Sequence, residues 1–239
     1  MSHNKPRSLA ESRLDERIHK RFFREPRPGR VLIEVGAARP DYLSISAYFR
    51  DMGWNIIAIE PNPAFCELYT QAGIPVLRYA CGDRDEENVD FTIVDSQGTE
   101  YRTGAVSFEA FSSLGIRKAY ADLKPSDVAT KTIKVQLRKL DTILAKHAPN
   151  VNRVDVLAVD VEGWELDVLA GFDLARYRPV CVVLENLFAD RKYLNYMKQF
   201  GYRRWRVLPP NDIYVAPDCR VGLVEVLGLR FYDYLFHTI

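Results

Sequence analysis

Four apolar runs in this chain of 239 residues close on an acid: Glu34 inside VLIEVG, Glu60 after IIAI, Asp160 after VLAV and Glu185 after VCVVL. Acids that serve only solubility would be scattered along solvated helix faces. Carboxylates at the carboxyl ends of buried strands stand instead where an open α/β sheet binds its ligand. There a carboxylate can accept hydrogen bonds from paired hydroxyls, balance a positive charge, take up a proton or hold a hard cation.

The turn after the first run narrows the ligand. Gly36 is followed by Ala37, Ala38, Arg39 and Pro40. A pyrophosphate-binding turn carries several glycines so that the backbone can approach the phosphates closely, and this turn has one. S-adenosylmethionine has no phosphate; it needs one close approach and acids near its positive centres. Glu34 beside the turn suits that field, and Glu60, followed by Pro61 and Asn62, is placed to accept from both ribose hydroxyls. The stretch AVDVEGWE, Ala158 to Glu165, sets Asp160 and Glu162 in one turn. Two carboxylates there are costly if buried unpaired, so they are expected to face a ligand, a cation or solvent.

Were the methyl group of such a cofactor passed to a hydroxyl, the acceptor oxygen would have to be held in line and a group would have to take its proton. The four histidines, His3, His19, His147 and His237, lie in no motif. Carboxylates remain: Asp160 and Glu162 are the first candidates, with Glu185 next. Asp160, Glu185 and Asn186 also offer three oxygen ligands on neighbouring strand ends, a set that suits Mg2+. Trp164 is placed to stack on a sugar or to shield the transfer path.

These residues need a parallel sheet to bring them together. The expected strands are Val31–Val35, Ile56–Ile59, Pro75–Tyr79, Lys131–Leu137, Asp155–Asp160 and Val180–Leu184, with Phe91–Val94 as an extra strand. Helices are expected near Leu9–Phe23, over Asp41–Met52 with Asp41 as cap and Gly53 as stop, over Ala64–Ala72, around Leu140–His147 and over Asp190–Phe200. Arg203–Val207 and Ile213–Ala216 form a closing hairpin. Alternation of strands with helices across short connections means a parallel sheet covered on both faces. The long segment 96–130 is expected to be a lid, with Tyr101, Phe108, Phe111 and Tyr120 lining an acceptor pocket.

Bulk properties fit one domain with a substantial core. Lys and Arg number 33 against 32 acids, a net charge of +1 that gives no general pull toward nucleic acid. Residues 1–29 form a basic, polar helical lead-in, expected to be solvated. Residues 30–217 are the main domain. Residues 218–239 are an apolar extension expected to pack on the domain or on a second copy of the chain. The four cysteines make no CxxC pair, no apolar run reaches a membrane span, and no signal-peptide pattern is present. A cytoplasmic protein with reduced thiols is the expectation.

Taken together, EVGAARPDYLSIS, AIEPNPAFCELY, ACGDRDEENVDF, LDTIL and AVDVEGWELDVLAGF resemble the FkbM family of S-adenosylmethionine-dependent methyltransferases, over roughly Val31 to Ala216. The resemblance implies a class I, Rossmann-like three-layer sandwich with a mostly parallel seven-stranded sheet and one antiparallel strand. It implies O-methylation of a sugar, glycan or natural-product hydroxyl, with a lipid-linked acceptor as one form. Glu34, Gly36 and Ala37 would lie by the methionine part, Glu60, Pro61 and Asn62 at the ribose, and Cys81, Gly82 and Asp83 near adenine. Asp160, Glu162 and Gly163 match the family's Asp-Val-Glu-Gly motif. Where the family has an Asn and a further Gly, this chain has Ala38 and Pro40, so Arg39 or Tyr42 is expected to make the contacts to the cofactor's tail. A nicotinamide-dependent oxidoreductase, a non-catalytic module of glycan assembly and a nucleic-acid methyltransferase are the competing readings.

Overall fold

A computed structural model describes residues 6–95, 100–101, 106–107, 112–115, 129–220 and 222. Most of the expected lid, including Phe108, Phe111 and Tyr120, and nearly all of the C-terminal extension from Val221 lie outside the described residues.

In chain order, a short 3-10 turn (Glu11–Arg13) leads into α1 (Leu14–Phe22), β1 (Val31–Val35), α2 (Ser46–Asp51), β2 (Asn55–Ile59), α3 (Pro63–Gln71), β3 (Ala80–Cys81) and β4 (Glu86–Asp95). Two short strands, β5 (Glu100–Tyr101) and β6 (Val106–Ser107), are followed by β7 (Ala129–Arg138), α4 (Leu140–His147), β8 (Val156–Val159), α5 (Glu165–Ala170) and α6 (Leu174–Tyr177). The chain continues through β9 (Cys181–Glu185), α7 (Arg191–Gln199), β10 (Arg203–Leu208) and β11 (Asn211–Val215). None of the described helices is long and apolar enough to cross a membrane.

The main sheet has six strands in the order β10-β11-β9-β8-β1-β2, and only β11 runs against its neighbours. The architecture is therefore a mixed α/β fold on a mostly parallel sheet. β1, β8, β9 and β11 are buried along their whole length. Their side chains alternate between two apolar layers. Val31, Ile33 and Val35 face one layer with Leu140, Leu144, Val168, Leu169, Leu194 and Met197 of α4, α5 and α7. Leu32, Val156, Ala158, Val183 and Ile213 face the other, with Leu14 and Ile18 of α1 and Phe49 of α2.

Three sequence expectations change. The basic N-terminal helix is not a solvated arm: Leu14 and Ile18, four residues apart, are 1% and 0% exposed, and burial of two such side chains stabilises by roughly 1.5–3 kcal/mol each. Its basic side chains stay outside, with the exposed Arg13 and Lys20 pairing to the buried Glu16. The second helix starts five residues later than expected, and Asp41 does not cap it. Leu43 between them has φ 56, outside helical geometry. The third strand, expected at Pro75–Tyr79, contributes one parallel bridge, Leu77 to Ile59. Pro75 has no N–H to donate, and the chain turns at Tyr79, whose N–H returns to Leu77 O. Ala80–Cys81 then pairs with β7 in a second, three-stranded sheet, β3-β7-β4. That sheet absorbs the extra strand expected at Phe91–Val94, which extends over ten residues along β7.

Candidate functional site

The carboxyl ends of β1, β2 and β8 surround an open cleft of about 610 Å³. Gly36, Glu60, Pro61, Cys81, Asp160 and Glu162 line it, joined by Ala38, Phe65, Tyr79, Phe91, Ser112, Ser113, Leu114 and Trp164. Six separate stretches of sequence thus converge on one cavity.

Gly36 forms the joint between strands. Its φ is +77, and a Cβ there would stand 1.7 Å from Asp160 O. Only glycine lets the first turn lie against the end of β8. The N–H groups of Gly36 and Ala37 both donate to Ile59 O, at 3.0 and 3.1 Å, so the turn is also tied to β2. Tyr69 of α3 donates its hydroxyl to Ala37 O at 3.0 Å from below. Ala37 itself is buried and offers the cleft little.

Glu60 is 4% exposed and lies on the cleft wall. Ala38 N–H donates to its Oε2 at 2.9 Å, and Asn62 N–H to its Oε1 at 2.7 Å. Each oxygen keeps lone-pair capacity for a further donor. Burial pushes the carboxyl up to about 7, against the two backbone bonds that pull it down. Asn62 is the N-cap of α3, accepting from Ala64 N at 3.0 Å.

Glu34 has a different task from the one expected. Its carboxylate accepts from Ile45 N at 2.7 Å, from Ser46 N at 3.3 Å and from Ser44 Oγ at 3.3 Å, and it is absent from the cleft lining. The acid on β1 thereby supplies the cap at the start of α2 that Asp41 does not. Tyr42 is 42% exposed and away from the lining. Gly82 packs against Leu137 and Gly171, and Asp83 pairs with the exposed Arg84.

At the β8 end, Asp160, Glu162 and Glu185 each bring a carboxylate oxygen within 4.8 Å of the others. Asp160 opens into the cleft, while Glu162 and Glu185 are buried. Desolvation, followed by the charge of Glu165, raises Asp160 to about 8; Glu162 is raised well above its ordinary range by burial and by Asp160. The cap of α5 is not Glu162 but Glu165, whose Oε1 accepts from Val161 N at 3.1 Å and Gly163 N at 3.0 Å. Tyr193 donates to its other oxygen at 2.6 Å. Asn186 does not join the acids as a third oxygen ligand. Its Oδ1 accepts from Asp190 N at 2.8 Å, and its Nδ2 donates to Asp212 Oδ2 at 3.0 Å.

Sequence reasoning passed over Phe65, Tyr79 and Ser112–Leu114. Ser113 is held opposite Thr92 by two backbone bonds, 2.8 and 3.0 Å, across the second sheet. No local motif marks that pairing. Trp164 donates Nε1 to Gly115 O at 3.1 Å, closing the cleft beside the acids.

The cavity with its single-glycine joint and acids lies where an open α/β sheet binds its ligand, at the carboxyl ends of the strands. The sequence pattern described as the Methyltransferase FkbM domain is matched by residues 34–204. The chain belongs to this family, and is a methyltransferase. No curated protein gives a significant match.

Proposed function

We propose that the protein is an S-adenosylmethionine-dependent O-methyltransferase acting on a hydroxyl of a sugar, glycan or natural-product acceptor, on a class I fold. The observation that carries the reading is the pairing of Gly36 with Glu60 in one cleft. The Gly36 turn, held close against the end of β8, and the buried Glu60 carboxylate on the same cleft wall fit an adenosyl group. Among the described residues the cleft holds no run of glycines for a pyrophosphate, which weighs against a dinucleotide.

Glu60 would accept the ribose hydroxyls, with Pro61 and Phe65 beside them, and Cys81 and Phe91 would bound the base. The bound cofactor supplies an electrophilic methyl group on a sulfonium. Asp160, Glu162 and Glu185 lie at the far end, where an acceptor hydroxyl has carboxylate oxygens at hand for its proton. Trp164 walls that end and excludes water. Holding the acceptor oxygen in line is then the main contribution of the protein.

Calorimetry with S-adenosylhomocysteine tests the reading, alongside a methyl-transfer screen over sugar acceptors. Saturable binding that Glu60→Gln weakens is the expected result. Binding of NAD with no heat from S-adenosylhomocysteine would overturn it.

A further inference from the structure

Asp160, Glu162 and Glu185 meet with their ligand oxygens no more than 4.8 Å apart. Like charges gather this closely only when one of them is protonated or a cation lies between them, and Asp160 and Glu185 already share a hydrogen bond. Among the described residues, the charged side chains bearing most on Asp160 and Glu162 are themselves acids, Glu165, Glu11 and Glu34. A second observation concerns Glu162 alone. It is 5% exposed, it lies on the cleft wall, and its Oε2 has no hydrogen-bond partner among the described residues. Buried carboxylate oxygens are normally satisfied. The neighbouring Glu165 shows how: both of its oxygens are engaged by backbone N–H groups and by Tyr193. The chain also holds Glu162 at φ 57, a conformation that non-glycine residues rarely adopt. Glu162 is thus placed, against local preference, with an unsatisfied oxygen in an acidic corner.

We propose that Asp160, Glu162 and Glu185 form a site for one hard divalent cation of the Mg2+ class, with its remaining positions open to the cleft. An ion centred among three oxygens 4.8 Å apart lies about 2.8 Å from each, and small side-chain rotations shorten this toward the roughly 2.1 Å that Mg2+ takes. An all-oxygen set favours Mg2+, Mn2+ or Ca2+ over softer ions. The ligand set differs from the one the sequence suggested: Glu162 takes the place of Asn186, whose amide holds Asp190 and Asp212. An acceptor hydroxyl bound at an open position would lose its proton at lower pH. That last role rests on the methyl-transfer reading; binding of the ion does not.

The test uses the full chain stripped with EDTA and titrated with Mn2+, read by electron paramagnetic resonance. One Mn2+ per chain is expected, displaced by Mg2+. Glu162→Gln and Glu185→Gln should each weaken it at least tenfold, while the exposed control Glu87→Gln should not. A rise in melting temperature with Mg2+ in the unmutated chain gives a second readout that needs no variant to fold. Absence of bound Mn2+ at millimolar concentration, or equal binding by Glu162→Gln, would overturn the site. So would stabilisation by glucosamine but not by Mn2+, which would make the acids an ammonium pocket. Calorimetry with S-adenosylhomocysteine on the same preparation separates the two ideas. Cofactor binding without Mn2+ binding defeats only the cation site, and loss of cofactor binding defeats only the methyl-transfer reading.

Discussion

Replacing Gly36 by alanine tests whether one missing methyl group lets β1 and β8 share a rim. The added Cβ would stand 1.7 Å from Asp160 O and 2.8 Å from its carbonyl carbon, where real contacts stay beyond 3.0 Å. Both atoms are main chain, so no rotamer change relieves the clash. Asp160 N donates to Val35 O at 3.0 Å, one residue before the glycine, so the strands cannot part without loosening that bond. Alanine at positive φ costs about 1–2 kcal/mol, and forced repacking about 1–3 kcal/mol more. Gly53 is the control: its φ is +78, but nothing lies within 4 Å of a Cβ there. Gly53→Ala should cost only the torsional part. Urea denaturation should therefore show Gly36→Ala less stable than Gly53→Ala by about 1–3 kcal/mol, or roughly 2–12 °C in melting temperature for a chain of this size. Affinity for S-adenosylhomocysteine should fall at least tenfold in the first variant and hold in the second. Equal destabilisation of the two variants would refute the steric argument. Unchanged affinity in Gly36→Ala would remove the turn from the binding site.

Other outcomes follow from the same geometry. Glu60 has its folded pKa raised from 4.5 to about 7 by burial, so its contribution to stability is present below pH 4.5 and declines by about 3 kcal/mol as pH rises through 7; pH-dependent denaturation of the unmutated chain and of Glu60→Gln measures the difference. Ribose hydroxyls favour the ionised form, so S-adenosylhomocysteine should bind with proton release near pH 6.5, and its affinity should rise by up to about tenfold per unit increase in pH until about pH 7. Calorimetry in buffers of different ionisation heat detects those protons. Asp155→Ala should cost about 3–5 kcal/mol by denaturation, because Arg30, with a side chain only 10% exposed, loses its partner at 3.2 Å; cofactor affinity should be unaffected, since Asp155 lies at the opposite end of the strands. Asp160→Asn should abolish methyl transfer while circular dichroism and melting stay close to those of the unmutated chain.

The strands with continuous apolar runs were readable because burial on both faces leaves no other sequence for them: Val31–Val35 appears at its expected limits, and Val180–Leu184 is shifted by one residue. The acids at their ends were readable for the same reason, since β strands deliver their last residues to one rim. Pro75–Tyr79 misled because its apolar residues are real but its backbone cannot make more than a single bridge. Asp41 looked like a cap because it precedes helical spacing, whereas the donors at the start of α2 reach back to Glu34, ten residues earlier and more. The carboxylates of Glu34, Glu162 and Glu165 are of one type in sequence. Only the fold separates the two that cap helices from the one with an unsatisfied oxygen.

The family pattern begins at residue 34, while Leu14 and Ile18 already belong to the apolar layer beneath β1, β8 and β9. An expression fragment trimmed to the recognisable motif would strip α1 from that side of the sheet, leaving α2 to cover it without its neighbour, and should precipitate, however intact its active-site residues.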